Sequence, residues 1–188
     1  MRLNDPLVTS FLYEGESYLI NLAFDNVLDA FEVLDDKELR DYERADICLA
    51  LLLDRDVEDH EVIDMWRHIY DSFIHIEEKQ LIEYDRKGNP MPVQKESEVS
   101  INLEKDAEYI YSSFQQAYGM NLFKVQGKLH WAEFKALLNG LPSDTIMQRI
   151  RAIRMWEPSK GDSPEYTQAM REMQKVYSIK DVEEEVEE

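Results

Sequence analysis

LEKDAEYIYSSFQQAYGMNLFKVQGKLHWAEFKALLNGLP, residues 103–142, decides the fold: its order lies in large apolar side chains, and residue types that perform chemistry are scarce in it. Leu103, Ala107, Ile110, Tyr111, Phe114, Ala117 and Tyr118 recur at steps that place them on one side of an α-helix, which Gly119 can close in the left-handed conformation. Trp131, Phe134, Leu137 and Leu138 share a face in the same way, with Gly140 and Pro142 as the stop. Two aromatic-rich amphipathic helices joined by a loop containing Gly127 make either a helical hairpin or the wall of a groove. Such a segment packs or grips.

Outward from it the chain is mainly α: a helical bundle of about six to seven helices with a small N-terminal β-hairpin. Ser10 to Leu22 alternates apolar and polar residues around Glu14-Gly15-Glu16, the pattern of the hairpin. Phe24, Val27, Leu28 and Phe31 give a first helix, with Asn21 or Asp25 near its start. Asp36 is the expected cap of the second, which carries Leu39, Tyr42, Ala45, Leu49 and Leu52. Val62, Trp66, Ile69, Phe73 and Ile76 form a heptad-like seam on a third helix, expected to be the longest. After the two aromatic helices, Ser143 or Asp144 starts a helix bearing Ile146, Ile150 and Ile153. Ser163-Pro164 starts a last one that runs to about Tyr177. The division expected along the chain is an acidic part at 1–84 (hairpin and three helices), a linker or long loop at 85–100, a helical part at 101–180 and an acidic, disordered tail at 181–188.

Charge narrows the partners. The net charge is −19, and its distribution is uneven: residues 1–84 hold 22 acidic and 7 basic residues, whereas residues 85–180 hold 12 and 14. Direct nucleic-acid binding needs clustered Lys and Arg, so the acidic part argues against it. No apolar run approaches the ~20 residues of a membrane span, and the N-terminal residues lack the apolar core of a secretory signal; no membrane contact and a cytosolic location are expected. The single cysteine, Cys48, lies in the apolar run ICLALLL and is read as a buried small hydrophobe.

Candidate chemistries are few. His60, Asp64, His68, Asp71 and His75 lie close along the third helix, a spacing that could chelate a divalent ion, but they point away from the Trp66–Ile69–Phe73 seam and are expected on the wet face. His130 stands alone as a helix-start or surface residue. There is no Gly-Lys-Ser or Gly-x-Gly-x-x-Gly loop and no nucleophile motif, so neither catalytic residues nor a metal or cofactor site is assigned. Arg149, Arg151 and Arg154 suit the negative end of a helix dipole, or form a basic docking spot. The aromatic rings of residues 103–142 are core side chains or, where exposed, anchors of an interface. The residues assigned to that partner-binding patch are Tyr109, Phe114, Tyr118, Trp131, Phe134 and Leu138.

DAEYIYSSFQQAYGMNL at 106–122 and LHWAEFKALLNGLP at 129–142, with INLAFDNVLDAFEVLDD at 20–36, resemble three blocks of a known family, the tail assembly chaperone-like proteins of siphophages and their prophages, the phage gp-fifteen family. Two places depart from its pattern: Ala132 stands where a second aromatic follows Trp131, and Gly119-Met120-Asn121-Leu122 stands for Gly-Ile-Asp-Leu. The resemblance implies a non-enzymatic helper in tail assembly, in the bacterial host cytoplasm and absent from the mature virion. Its implied partner is the tape measure protein, with the tail tube protein and a second copy of the chain as further candidates. The rival expectation, from charge alone, is an acidic mimic of nucleic acid that inhibits a host DNA-binding or defence enzyme.

Overall fold

The computed structural model describes residues 4–75 and 100–179. The expected linker at 85–100, apart from Ser100, and the expected tail at 181–188 lie outside the described residues, as does Ile76 of the third-helix seam. The chain divides into two compact units: Met1–Lys79 with Phe123–Leu137, and Gln80–Leu122 with Leu138–Glu188. Among the described residues there are seven α-helices and one two-stranded antiparallel sheet, the mainly α fold expected.

The first unit opens with the hairpin, β1 (Ser10–Tyr13) paired to β2 (Glu16–Leu19). Its two-residue turn holds Glu14 at φ 49° and Gly15 at φ 89°, the doubly left-handed geometry whose twist suits adjoining strands. An isolated hairpin is marginal in water, so packing on one face has to hold it. Cross-strand partners Phe11 and Tyr18 stack at 5.6 Å, and Phe11 also meets Phe73 at 5.4 Å. Helices α1 (Phe24–Asp35), α2 (Asp41–Leu52) and α3 (Val62–Ile69) follow, α2 packing on both others. Their contacting faces bury Val27, Ala30, Ala45, Cys48, Leu52, Val62, Met65 and Ile69. Each large one is worth about 1.5–3 kcal/mol of transfer free energy.

Two local expectations change here. Asp36 accepts the N–H of Glu38 instead of starting a helix; α2 begins beyond Arg40, where the Glu43 carboxylate accepts the Arg40 backbone N–H at 2.9 Å. The third helix is not the longest: α3 spans 8 residues and runs into a π-helical turn at Tyr70–Ile74, which closes with His75 N–H donating to the Tyr70 carbonyl at 2.7 Å. Val62 and Ile69 of the expected seam are buried, with Met65 in the buried place expected of Trp66, which is half-buried; beyond Ile69 the wider turn shifts burial from Phe73 to Ile74.

In the second unit α4 (Ala107–Tyr118) packs on α6 (Ile146–Arg154), which packs on α7 (Pro164–Val176). Gly119 ends α4 at φ 62°, as the sequence expects of a left-handed cap. Ser163 caps α7, its hydroxyl accepting the N–H of Tyr166 at 3.1 Å, with Pro164 in the first turn. At α6 the cap residue is Thr145, not Ser143 or Asp144. The orphan N–H of Met147 is accepted by the hydroxyl of Ser113, a fully buried residue of α4, at 3.1 Å. A salt link also ties the unit together: Arg154 donates to both carboxylate oxygens of Asp106, at 2.6 and 2.7 Å. The division between units falls within α5 (Trp131–Asn139), after Leu137.

Candidate partner-binding surface

The six residues expected to form a gripping patch have distinct places. Trp131 and Phe134 belong to the first unit; Tyr109, Phe114, Tyr118 and Leu138 belong to the second. Phe114, Phe134, Trp131 and Leu138 are buried, at 0%, 2%, 3% and 7% exposure. A side chain without accessible area offers a partner no surface, so burial assigns these four to packing. Tyr109 is half-buried beside Tyr177, and Tyr118, at 36% exposure, is the most open of the set.

In the first unit the buried pair does definable structural work. The backbone of residues 129–131 pairs with 22–24: Trp131 N–H donates to the Leu22 carbonyl at 2.7 Å, and Phe24 N–H to the Leu129 carbonyl at 2.9 Å. Phe134 stacks on Phe24 at 5.0 Å, and Trp131 meets Phe31 edge-on at 5.6 Å. His130 starts α5: its Nδ1 accepts the N–H of Ala132 at 3.1 Å, while Glu133 accepts the N–H of His130 at 3.2 Å, a reciprocal capping box. With Nδ1 accepting, the ring proton sits on Nε2, which donates to the Val8 carbonyl at 3.1 Å. Asp25 does not cap α1; its carboxylate accepts the Gly127 N–H at 2.9 Å.

The π-helical turn ends on a carbonyl that the helix cannot satisfy. Ile74 O accepts from the Trp131 indole N–H at 3.1 Å and from Lys135 Nζ at 2.8 Å. Lys135 also lies 5.0 Å from the Trp131 ring centre, and burial pulls its ammonium down to about 8. Neither the Ile74 carbonyl nor the turn that frees it had a local sequence signal.

His60, Asp64, Asp71 and His75 are exposed, as expected of a wet face, with His75 also stacked on Tyr70 at 5.7 Å; only His68 departs, half-buried among rings, 5.8 Å from Phe11 and 5.5 Å from Tyr13. Among the described residues no three His, Cys, Asp or Glu side chains converge to hold a metal ion. Arg154, expected as a helix-end cation or part of a docking spot, is consumed internally by Asp106. Cys48 is fully buried, its thiol donating to the Ala30 carbonyl, and burial pushes it up to about 12. No helix among the described residues is long and apolar enough to cross a membrane.

The accessible apolar surface lies elsewhere. The strand register that turns Phe11 and Tyr18 inward turns Ser10, Leu12, Ser17 and Leu19 outward. Leu12 and Leu19 are 73% and 57% exposed, diagonal neighbours on one hairpin face. They stand on an acidic unit, whose sequence holds 22 acidic and 10 basic residues. On the inward face Arg55 lies 3.8 Å over the Tyr18 ring and pairs with Glu16 at 2.8 Å, fixing the platform on which the leucines stand. Sequence alternation could have identified both leucines as outward-facing, since only a half-buried hairpin exposes every second residue.

The family model described as "Bacteriophage Gp15 protein" matches residues 3–179, and the chain belongs to that family. No curated protein and no solved structure gives a significant match.

Proposed function

We propose, from membership of the Bacteriophage Gp15 protein family, that this chain is a non-enzymatic tail assembly chaperone that binds the tape measure protein while tail tube subunits polymerise around it. It acts in the host cytoplasm and leaves before the virion matures. The observation that carries the reading is the outward pair Leu12 and Leu19 on an acidic unit. A long helical client aggregates through its apolar faces, and a rigid apolar platform covers such a face while surrounding carboxylates keep the complex soluble by mutual repulsion. The three sequence blocks at 20–36, 106–122 and 129–142 support it further through their resemblance to tail assembly chaperone-like proteins.

The competing reading, an acidic mimic of nucleic acid, calls for an ordered stripe of carboxylates without apolar anchors; the leucine pair favours the chaperone. The test is co-expression with the tape measure protein encoded by the same phage or prophage. The tape measure protein should co-purify with the full chain and precipitate without it. The variant Leu12→Glu/Leu19→Glu should fold normally and lose the capture. A tape measure protein that stays soluble alone and does not co-purify would overturn the proposal.

A further inference from the structure

In the second unit α7 has two apolar stripes, and only one of them is used. Met170 is buried, and Gln174 on the same side donates to the carbonyls of Ile153 at 3.0 Å and Trp156 at 2.8 Å, clamping the helix across the end of α6. The other stripe is Tyr166, Ala169, Met173 and Val176, at steps of three, four and three. That spacing gives the a and d positions of a heptad seam. Tyr166, Met173 and Val176 are 49%, 39% and 76% exposed. The Tyr166 ring is held at its end of the seam by an edge-on contact with Trp156 at 5.8 Å.

The flanks of this seam select its occupant. Glu165 and Glu172, seven residues apart, take the g positions on the open side, and Met170 and Tyr177 take the e positions on the packed side. A second copy docking antiparallel would bring g against g and so glutamate against glutamate. Docked parallel, it would set those glutamates against Met170, which is buried, and Tyr177, which is half-buried. Both arrangements leave like charges opposed or carboxylates without counter-charge. Glu172 accepts a hydrogen bond from the neutral amide of Gln168 at 3.1 Å, one turn earlier on the same open side.

We infer that the Tyr166–Ala169–Met173–Val176 seam of α7 docks one amphipathic helix from another chain, with Lys or Arg bordering that helix's apolar stripe. The site stands on the second unit's own geometry and does not depend on the identity proposed for the client.

The test uses the full chain and two synthetic three-heptad peptides with leucine at the seam positions, one flanked by lysines and one by glutamates, followed by fluorescence anisotropy. The lysine peptide should bind more than about tenfold tighter than the glutamate peptide. Val176→Glu should weaken it about tenfold, since a charge then sits in an apolar contact. Glu172→Lys should shift the preference towards the glutamate peptide, with the circular dichroism of both variants unchanged. Equal binding of the two peptides, no saturable binding of either, or variants that bind like the parent would overturn the inference. So would a dimer, seen in sedimentation, that Val176→Glu dissociates, because the occupant would then be a second copy.

Discussion

Removing both partners of the Asp106–Arg154 pair should destabilise the second unit far less than the two single removals added together. Asp106 is 1% exposed and Arg154 11%, and the two are joined by a bidentate pair of 2.6 and 2.7 Å. Arg154 also donates through Nε to the Tyr177 carbonyl at 2.6 Å and through the guanidinium to the Ser100 carbonyl at 3.1 Å. Asp106 accepts the backbone N–H of Asn102 at 2.9 Å. Asp106→Leu leaves a buried guanidinium without counter-charge, and Arg154→Met leaves a buried carboxylate; each single change should cost about 3–5 kcal/mol. The double variant loses both charges together. It gives up the hydrogen bonds to three backbone groups, at about 0.5–1.5 kcal/mol each, for a total near 3 kcal/mol. The singles therefore sum to more than the double by at least about 2 kcal/mol. Hydrogen exchange of α4 and α6 amides measures the local opening free energy in all four proteins. Singles that cost under about 1 kcal/mol, or a double equal to their sum, would show that the pair is not a coupled buried link.

Three further outcomes are expected. Lys135 sits at about 8 in the folded chain against 10.5 for an ordinary lysine, so between those values the unfolded chain holds more protons and stability should rise with pH. Urea denaturation should show that rise in the parent relative to Lys135→Met, and a flat difference would contradict the buried ammonium. Gly119→Ala should cost about 1–2 kcal/mol by thermal or urea unfolding, wholly conformational, because φ is 62° and an added Cβ meets nothing within 4 Å. Cys48, fully buried and raised to about 12, should react with a thiol reagent at pH 8 only as fast as the chain opens; rapid labelling of the native protein would refute its placement.

Elements whose signals are local were legible. The hairpin follows from alternation around Glu14-Gly15, α7 from Ser163-Pro164, and the end of α4 from Gly119, because each is decided within one turn of chain. Where a partner came from far along the chain, sequence gave no warning. Ser113 supplies the acceptor that Met147 needs, and Phe11 and Tyr13 of the hairpin take His68 into an aromatic cluster. For the candidate surface, periodicity found the aromatic faces of α4 and α5, but periodicity is the same for a face that packs and a face that binds.

The order of side chains by itself determined that this protein is helical, begins with a hairpin, concentrates its negative charge in the first 84 residues and carries the blocks of a phage protein family. Only the tertiary structure decided which apolar helix faces are surface. Trp131 and Phe134 are enclosed by Phe24 and Phe31, residues about a hundred positions earlier, while Tyr166 and Val176 remain open to solvent. The reason is physical: an apolar face states a need for cover, and the cover is supplied by whatever the chain brings to it, which for these faces lies beyond the reach of local spacing.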